Sequence, residues 1–108
     1  MAQSEGPTHG SGAQTTEFVV DLVAHGHDRP GVPRRLDVLV STDANGTFQI
    51  ETRTVSEFDD YRIDARVKRG SIEPRRAFRD GTATDVDDLP AWIETVVECA
   101  ERRVLGGQ

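Results

Sequence analysis

The chain has 108 residues, enough for one domain with a single modest core. Its 19 acidic and 13 basic side chains give a formal net charge of −6, which argues against default binding to nucleic acid or to a membrane surface. The single cysteine, Cys99, excludes an intramolecular disulfide or a cysteine cluster.

Residues 1–15 are Gly, Ser, Gln and Thr with almost nothing apolar, and are expected to form a disordered tail that includes His9. They hold no apolar run of the signal-peptide kind, and no stretch of the chain reaches the length of a membrane span. The cytoplasm is therefore the expected compartment, and no membrane partner is expected. Residues 16–108 are expected to form one domain.

In TTEFVVDLVAH, Phe18, Val20, Leu22 and Ala24 alternate with Glu17, Val19, Asp21, Val23 and His25, the period of a strand. Two glycines and two prolines between Gly26 and Pro33 break it. RRLDVLVSTDANGTFQIETRTV reads as a hairpin, with Leu36, Val38 and Val40 on one side, a turn at Asp43–Gly46, and Phe48 and Ile50 beyond it. A turn over 57–60 leads into YRIDARVKR, where Tyr61, Ile63, Ala65 and Val67 oppose Arg62, Asp64, Arg66 and Lys68. EPRRAFRDG adds a short strand at most, with Pro74 suited to an edge.

Asp85, Asp87 and Asp88 before Leu89-Pro90 mark a helix start. Leu89, Ile93, Val96, Val97, Ala100 and Val104 then form an apolar stripe at helical spacing, flanked by Trp92 and Cys99. Glu98 and Arg102 are spaced to pair, and Gly106 ends the helix. The expected class is α+β: an antiparallel sheet of four to five strands with one C-terminal helix packed on one face.

Three stretches invite a functional reading. In HGHDRPGVP, residues 25–33, His25, His27 and Asp28 are types that hold metals, but zinc needs three or four ligands and no second pair accompanies them. No metal and no cofactor is expected, and the bland reading is a polar connection between strands. FVVDLVAHGHDRPGV, residues 18–32, also resembles the strand and signature turn of ACT domains, small ligand-binding regulatory modules. That resemblance implies an amino-acid site along Asp28–Val32 and a helix directly after it. The residues themselves favour strand and turn there, through Val38, Val40, Ser41, Thr42 and Asp-Ala-Asn-Gly.

The third stretch is electrostatic. Residues 61–79 carry seven basic and two acidic side chains, net +5, whereas residues 1–60 are net −6 and residues 80–108 net −5. The candidate binding residues are Arg62, Arg66, Lys68, Arg69, Arg75, Arg76 and Arg79. Arg62, Arg66 and Lys68 share the strand side opposite Ile63 and Val67, and one helix covers only one side of a sheet. That side also receives Val19, Val23, Leu39 and Val55, more apolar surface than a solvated face needs. Such a row suits contact with a protein, or phosphate binding with Tyr61 and Phe78 stacking on bases. It also suits plain pairing with acids such as Glu51 on a neighbouring strand.

No nucleophile elbow, phosphate loop or paired-carboxylate motif is visible, and Asp85, Asp87 and Asp88 lack the spacing of a calcium loop. No enzymatic activity and no catalytic residue is expected. With twelve arginines, one lysine and many Asp, Glu, Thr and Val, the composition resembles that of small acidic proteins of haloarchaea. The function expected is a halophilic interaction domain, homodimeric or part of a protein complex. The alternatives are a nucleic-acid binder using residues 61–79 and an ACT-like small-ligand sensor.

Overall fold

The computed structural model describes residues 14–43, 45–54 and 58–106. The tail expected for residues 1–15 lies outside them as far as residue 13, and Gln14 and Thr15 already belong to the first strand. Val55 and the start of the turn at 57–60 also lie outside the described residues.

Six strands follow one another in space as in sequence, each antiparallel to the last: β1 (Gln14–Asp21), β2 (Arg35–Thr42), β3 (Thr47–Arg53), β4 (Tyr61–Lys68), β5 (Ser71–Arg79) and β6 (Thr82–Thr84). The helix α1 (Ala91–Glu101) comes last and runs into a π-helical turn over Arg102–Gly106. The α+β class holds, but the sheet has six strands rather than four to five. The difference lies in the segment read as one short strand. It forms nine-residue β5, and Asp80-Gly81 then reverses the chain into β6.

Both hairpins at this end use two-residue turns. Arg69 and Gly70 have φ of 56° and 81°, and Asp80 and Gly81 have φ of 50° and 85°. Two successive positive φ values make the primed turn whose twist matches that of the strands. Glycine takes this conformation without a Cβ penalty, aspartate tolerates it, and arginine has no such preference.

One irregularity shapes β5. Asp64 pairs with Arg76 but Ala65 pairs with Pro74, so Arg75 is the extra residue of a bulge. β6 pairs only with Ala77–Arg79, so Pro74 has no outer strand to miss its N–H.

Strand alternation builds the core. Phe18, Val20, Leu36, Val38, Val40, Phe48, Ile50, Ile63 and Ala77 line one side of the sheet, and α1 covers them with Trp92, Ile93, Val96, Val97 and Ala100. Trp92 is a core residue rather than a flank, set edge-on to Tyr61 with ring centroids 5.6 Å apart. The buried Thr52 continues the ladder where backbone pairing of β3 with β4 stops. Its hydroxyl accepts a hydrogen bond from the Tyr61 N–H at 2.9 Å. Ala24 lies exposed in a turn rather than continuing the apolar side of β1, and Val67 is 39% exposed at the end of β4.

The helix starts later than the sequence implies. Asp85 caps a separate 3₁₀ turn, Val86–Asp88, accepting from the Asp87 N–H at 2.9 Å. Leu89 precedes a proline and is extended, with ψ of 146°, so α1 begins only after Pro90. The Glu98–Arg102 pair is not among the ion pairs of the described residues; the neighbouring Arg103 lies over the Phe18 ring at 5.0 Å.

Candidate functional site

The helix covers one side of the sheet and leaves the other open. On that open side the register aligns Glu17, Leu39, Glu51, Arg62, Phe78 and Ala83 in a row across all six strands. Val19, 48% exposed, lies beside this row on β1, and Leu39 is half-buried within it. Among the described residues the strands β1–β3 bring Glu17, Asp21, Asp37 and Glu51 to this side against Arg35 and Arg53. Strands β4 and β5 bring Arg62, Arg66, Lys68, Arg75 and Arg76 against Asp64 and Glu73. The face is thus divided into an acidic half and a basic half.

The seven basic candidates do not form one row. Arg66 and Lys68 are exposed on β4, and Arg69 sits at the tip of the β4–β5 turn. Arg75, the bulged residue, reaches Glu73 at 3.7 Å. Asp64, whose side chain is 16% exposed, receives Arg62 Nη2 at 3.4 Å and Arg76 Nη2 at 3.6 Å. Arg79 falls on the helix side. The bulge shifts the alternation by one, so Ala77 and Arg79 point with the core while Arg76 and Phe78 point outward. Arg79 there pairs with Asp59 at 3.5 Å.

Arg62 is the most committed of the seven. Its guanidinium lies 4.4 Å from the Phe78 ring centroid, a cation–π stack. That posture leans it toward β5 and away from Glu51, its register partner on β3. The pairing with Glu51 considered from the sequence is therefore replaced by the pairing with Asp64. The Arg62 Nε is buried and has no hydrogen-bond partner.

The histidine-rich loop is held on the helix. Leu22 and Arg34 close it with a 2.8 Å backbone hydrogen bond, and the Leu22 carbonyl accepts from the N–H groups of His25 and His27. His27 Nε2 lies 2.8 Å from Thr95 Oγ1, and His25 Nε2 lies 3.8 Å from Cys99 Sγ, one helical turn further along. Among the described residues no three His, Cys, Asp or Glu side chains gather where a metal could be held. The helix implied after the ACT-like turn does not form; the chain enters β2 instead. Residues His27 to Val32, Arg34 and Phe58 line a shallow cavity of about 390 Å³ in which none of the polar side chains is buried.

Two features escape sequence reasoning. One is a groove of about 380 Å³ beside α1, floored by Pro74, Leu89, Ile93 and Val97 and edged by Asp87, Glu94 and Glu98. The other ties the β3–β4 connection to the β5–β6 turn. Asp80 accepts from the Asp60 N–H at 2.9 Å, and its own N–H donates to the Asp60 carbonyl at 2.8 Å. That backbone bond holds the Asp80 carboxyl below its ordinary range, whereas a hydrogen bond shared with Asp80 raises Asp59. Asp80 is exposed and Asp59 half-exposed. Burial pushes the Tyr61 hydroxyl above its ordinary value.

No helix among the described residues is long and apolar enough to cross a membrane. Compared with known proteins, the chain matches no family model, no curated protein and no solved structure.

Proposed function

We propose that this chain is a non-enzymatic interaction domain that docks a protein, as a homodimer or within a complex, through the open side of its sheet. The observation that carries the reading is the uncovered face itself, where Val19 and Leu39 lie among charges sorted into an acidic and a basic half. A solvated face has no need of exposed valine, and a surface of mixed sign suits a protein better than a polyanion. The arginine-rich, acidic composition supports a salt-adapted cell, and a single free cysteine suits its cytoplasm.

A photoreactive residue tests this in the cells that make the protein. Placed at Leu39 it is expected to give a cross-linked protein product, and placed at the exposed Glu98 it is expected to give none. Equal yields from both positions, or nothing from Leu39, would remove the open face as the docking surface.

One observation favours a second reading. Arg66, Lys68, Arg75 and Arg76 are exposed around the Arg62–Phe78 stack, which is a phosphate-and-base arrangement. Against it, Asp64 engages two of these arginines, and four carboxylates of the acidic half would repel a backbone lying across the face. Titration with duplex and single-stranded DNA at two salt concentrations separates the readings. Backbone NMR shifts confined to residues 61–79, weakening as salt rises, would make the chain a nucleic-acid binder.

A further inference from the structure

Resting on the open-face reading, we propose that the occupant of this face is a second copy of the chain. The two copies pack face to face about a two-fold axis running parallel to the strands, between β3 and β4. One row of the open face spans the whole sheet. Its left half reads Glu17, Leu39, Glu51 and its right half Arg62, Phe78, Ala83. A rotation about that axis reverses the row and lays it on itself. Glu51 then meets Arg62 of the second copy, Leu39 meets Phe78, and Glu17 meets the small Ala83. Each contact occurs twice, as an isologous interface requires.

Beyond that row the rotation keeps each residue at its own level along the strands, so Gln49 meets Asp64, Ser41 meets Arg76 and Thr47 meets Arg66, and the charge complementarity rests on the Glu51–Arg62 contacts. Within one chain the pairing is unused. Arg62 leans over Phe78 toward β5, and Glu51 makes no ion pair among the described residues, although the two are register partners.

The available area fits a reversible dimer. Five strands of seven to nine residues and the three-residue β6, about 4.8 Å apart, offer on the order of 600 Å² per copy. The total of roughly 1,200 Å² lies at the small end of specific interfaces, so association on the order of micromolar is expected.

The test is a mass measurement with charge reversals used in trans. By sedimentation or light scattering at about 100 µM, the wild-type chain is expected at twice its 11.9 kDa mass, falling toward 11.9 kDa on dilution. Glu51→Arg and Arg62→Glu are each expected to remain at 11.9 kDa with an unchanged far-UV CD spectrum. Mixed in equal amounts they are expected to recover the dimer mass, because one copy then offers two arginines to two glutamates of the other.

A second measurement needs no variant. In a half-labelled mixture, an isotope-filtered NOE between Leu39 methyls and the Phe78 ring is expected. Within one chain these residues sit three strand spacings apart, about 14 Å, too far for that signal. A wild-type chain that stays monomeric at millimolar concentration overturns the proposal. So does a dimer indifferent to both reversals, or reversals that fail to recombine while folded, or absence of the NOE in a dimer. A monomer that still cross-links another protein from Leu39 overturns the second copy and leaves the open-face reading standing; no dimer and no cross-link ends both.

Discussion

Thr52 shows how much one hydroxyl carries in this sheet. It is 1% exposed, and its Oγ1 is the acceptor for the Tyr61 N–H just beyond Glu51 and Arg62, the last paired residues of β3 and β4. Thr52→Val keeps the shape and removes the acceptor, leaving a buried donor unpaired. The expected cost is about 1–3 kcal/mol in urea unfolding, with Thr52→Ser retaining most of the stability. Equal loss in both variants would assign the effect to packing instead. The alternation of TFQIETR puts Thr52 on the core side with Phe48 and Ile50, but its role as an acceptor depends on where pairing with β4 ends, which the alternation does not show.

Asp59 and Asp80 make a second residue-scale case. The backbone hydrogen bond from Asp60, then the bond shared with Asp59, lowers Asp80, so its contribution to stability is present above the ordinary carboxyl value of 3.8 and fades as pH falls through its lower folded value. Asp59 is raised, chiefly by Asp80, so its charged form opposes folding near neutrality and that opposition is relieved as pH falls. Asp80→Asn is expected to bring the Asp59 midpoint, followed by carboxyl NMR, back down toward 3.8. A midpoint that stays raised would place the cause elsewhere.

At the scale of elements, the strands β1 to β4 and the body of the helix were legible because their apolar period is unbroken. Phe18 and Val20, then Leu36, Val38 and Val40, then Phe48 and Ile50, then Tyr61, Ile63 and Ala65 all face the core as their spacing implies. The end of the sheet was not legible, for two reasons. The bulge at Arg75 changes the parity of β5, so a period counted from Ile72 puts Phe78 on the wrong side. The Arg69-Gly70 turn carries an arginine where asparagine, aspartate or glycine is the usual signal, although Asp80-Gly81 is that signal and marks β6. Arg69 at φ 56° therefore holds a left-handed conformation against its preference. Arg69→Asn is expected to stabilise the fold by up to about 1 kcal/mol, seen as a raised urea midpoint at constant slope. A lower midpoint would mean that the arginine side chain contributes more than its backbone costs.

At the scale of the whole molecule, the charge blocks were visible in the sequence but their spatial sorting was not. Residues 61–79 are net +5, yet the bulge sends Arg79 to the helix side, and the neighbours that make half of the open face acidic come from strands far back in the chain. The same distribution sets two opposite responses to salt. The net charge of −6 is repulsive within one compact chain, with α1 adding Glu94, Glu98 and Glu101 to the carboxylates of the sheet. Raising KCl from about 0.1 to about 1 M shortens the screening length from about 10 Å to about 3 Å and weakens that repulsion. Stability is expected to rise by about 1 kcal/mol, or roughly 4–8 °C in Tm for a domain of this size. The Glu51–Arg62 contacts between copies are attractive, so the same screening is expected to weaken the dimer. Thermal melts and sedimentation over one salt series read both, with the melts run at one fixed low protein concentration to keep association out of Tm. A fold and a dimer that strengthen together with salt would mean that apolar contact through Val19, Leu39 and Phe78, rather than charge, holds the two copies.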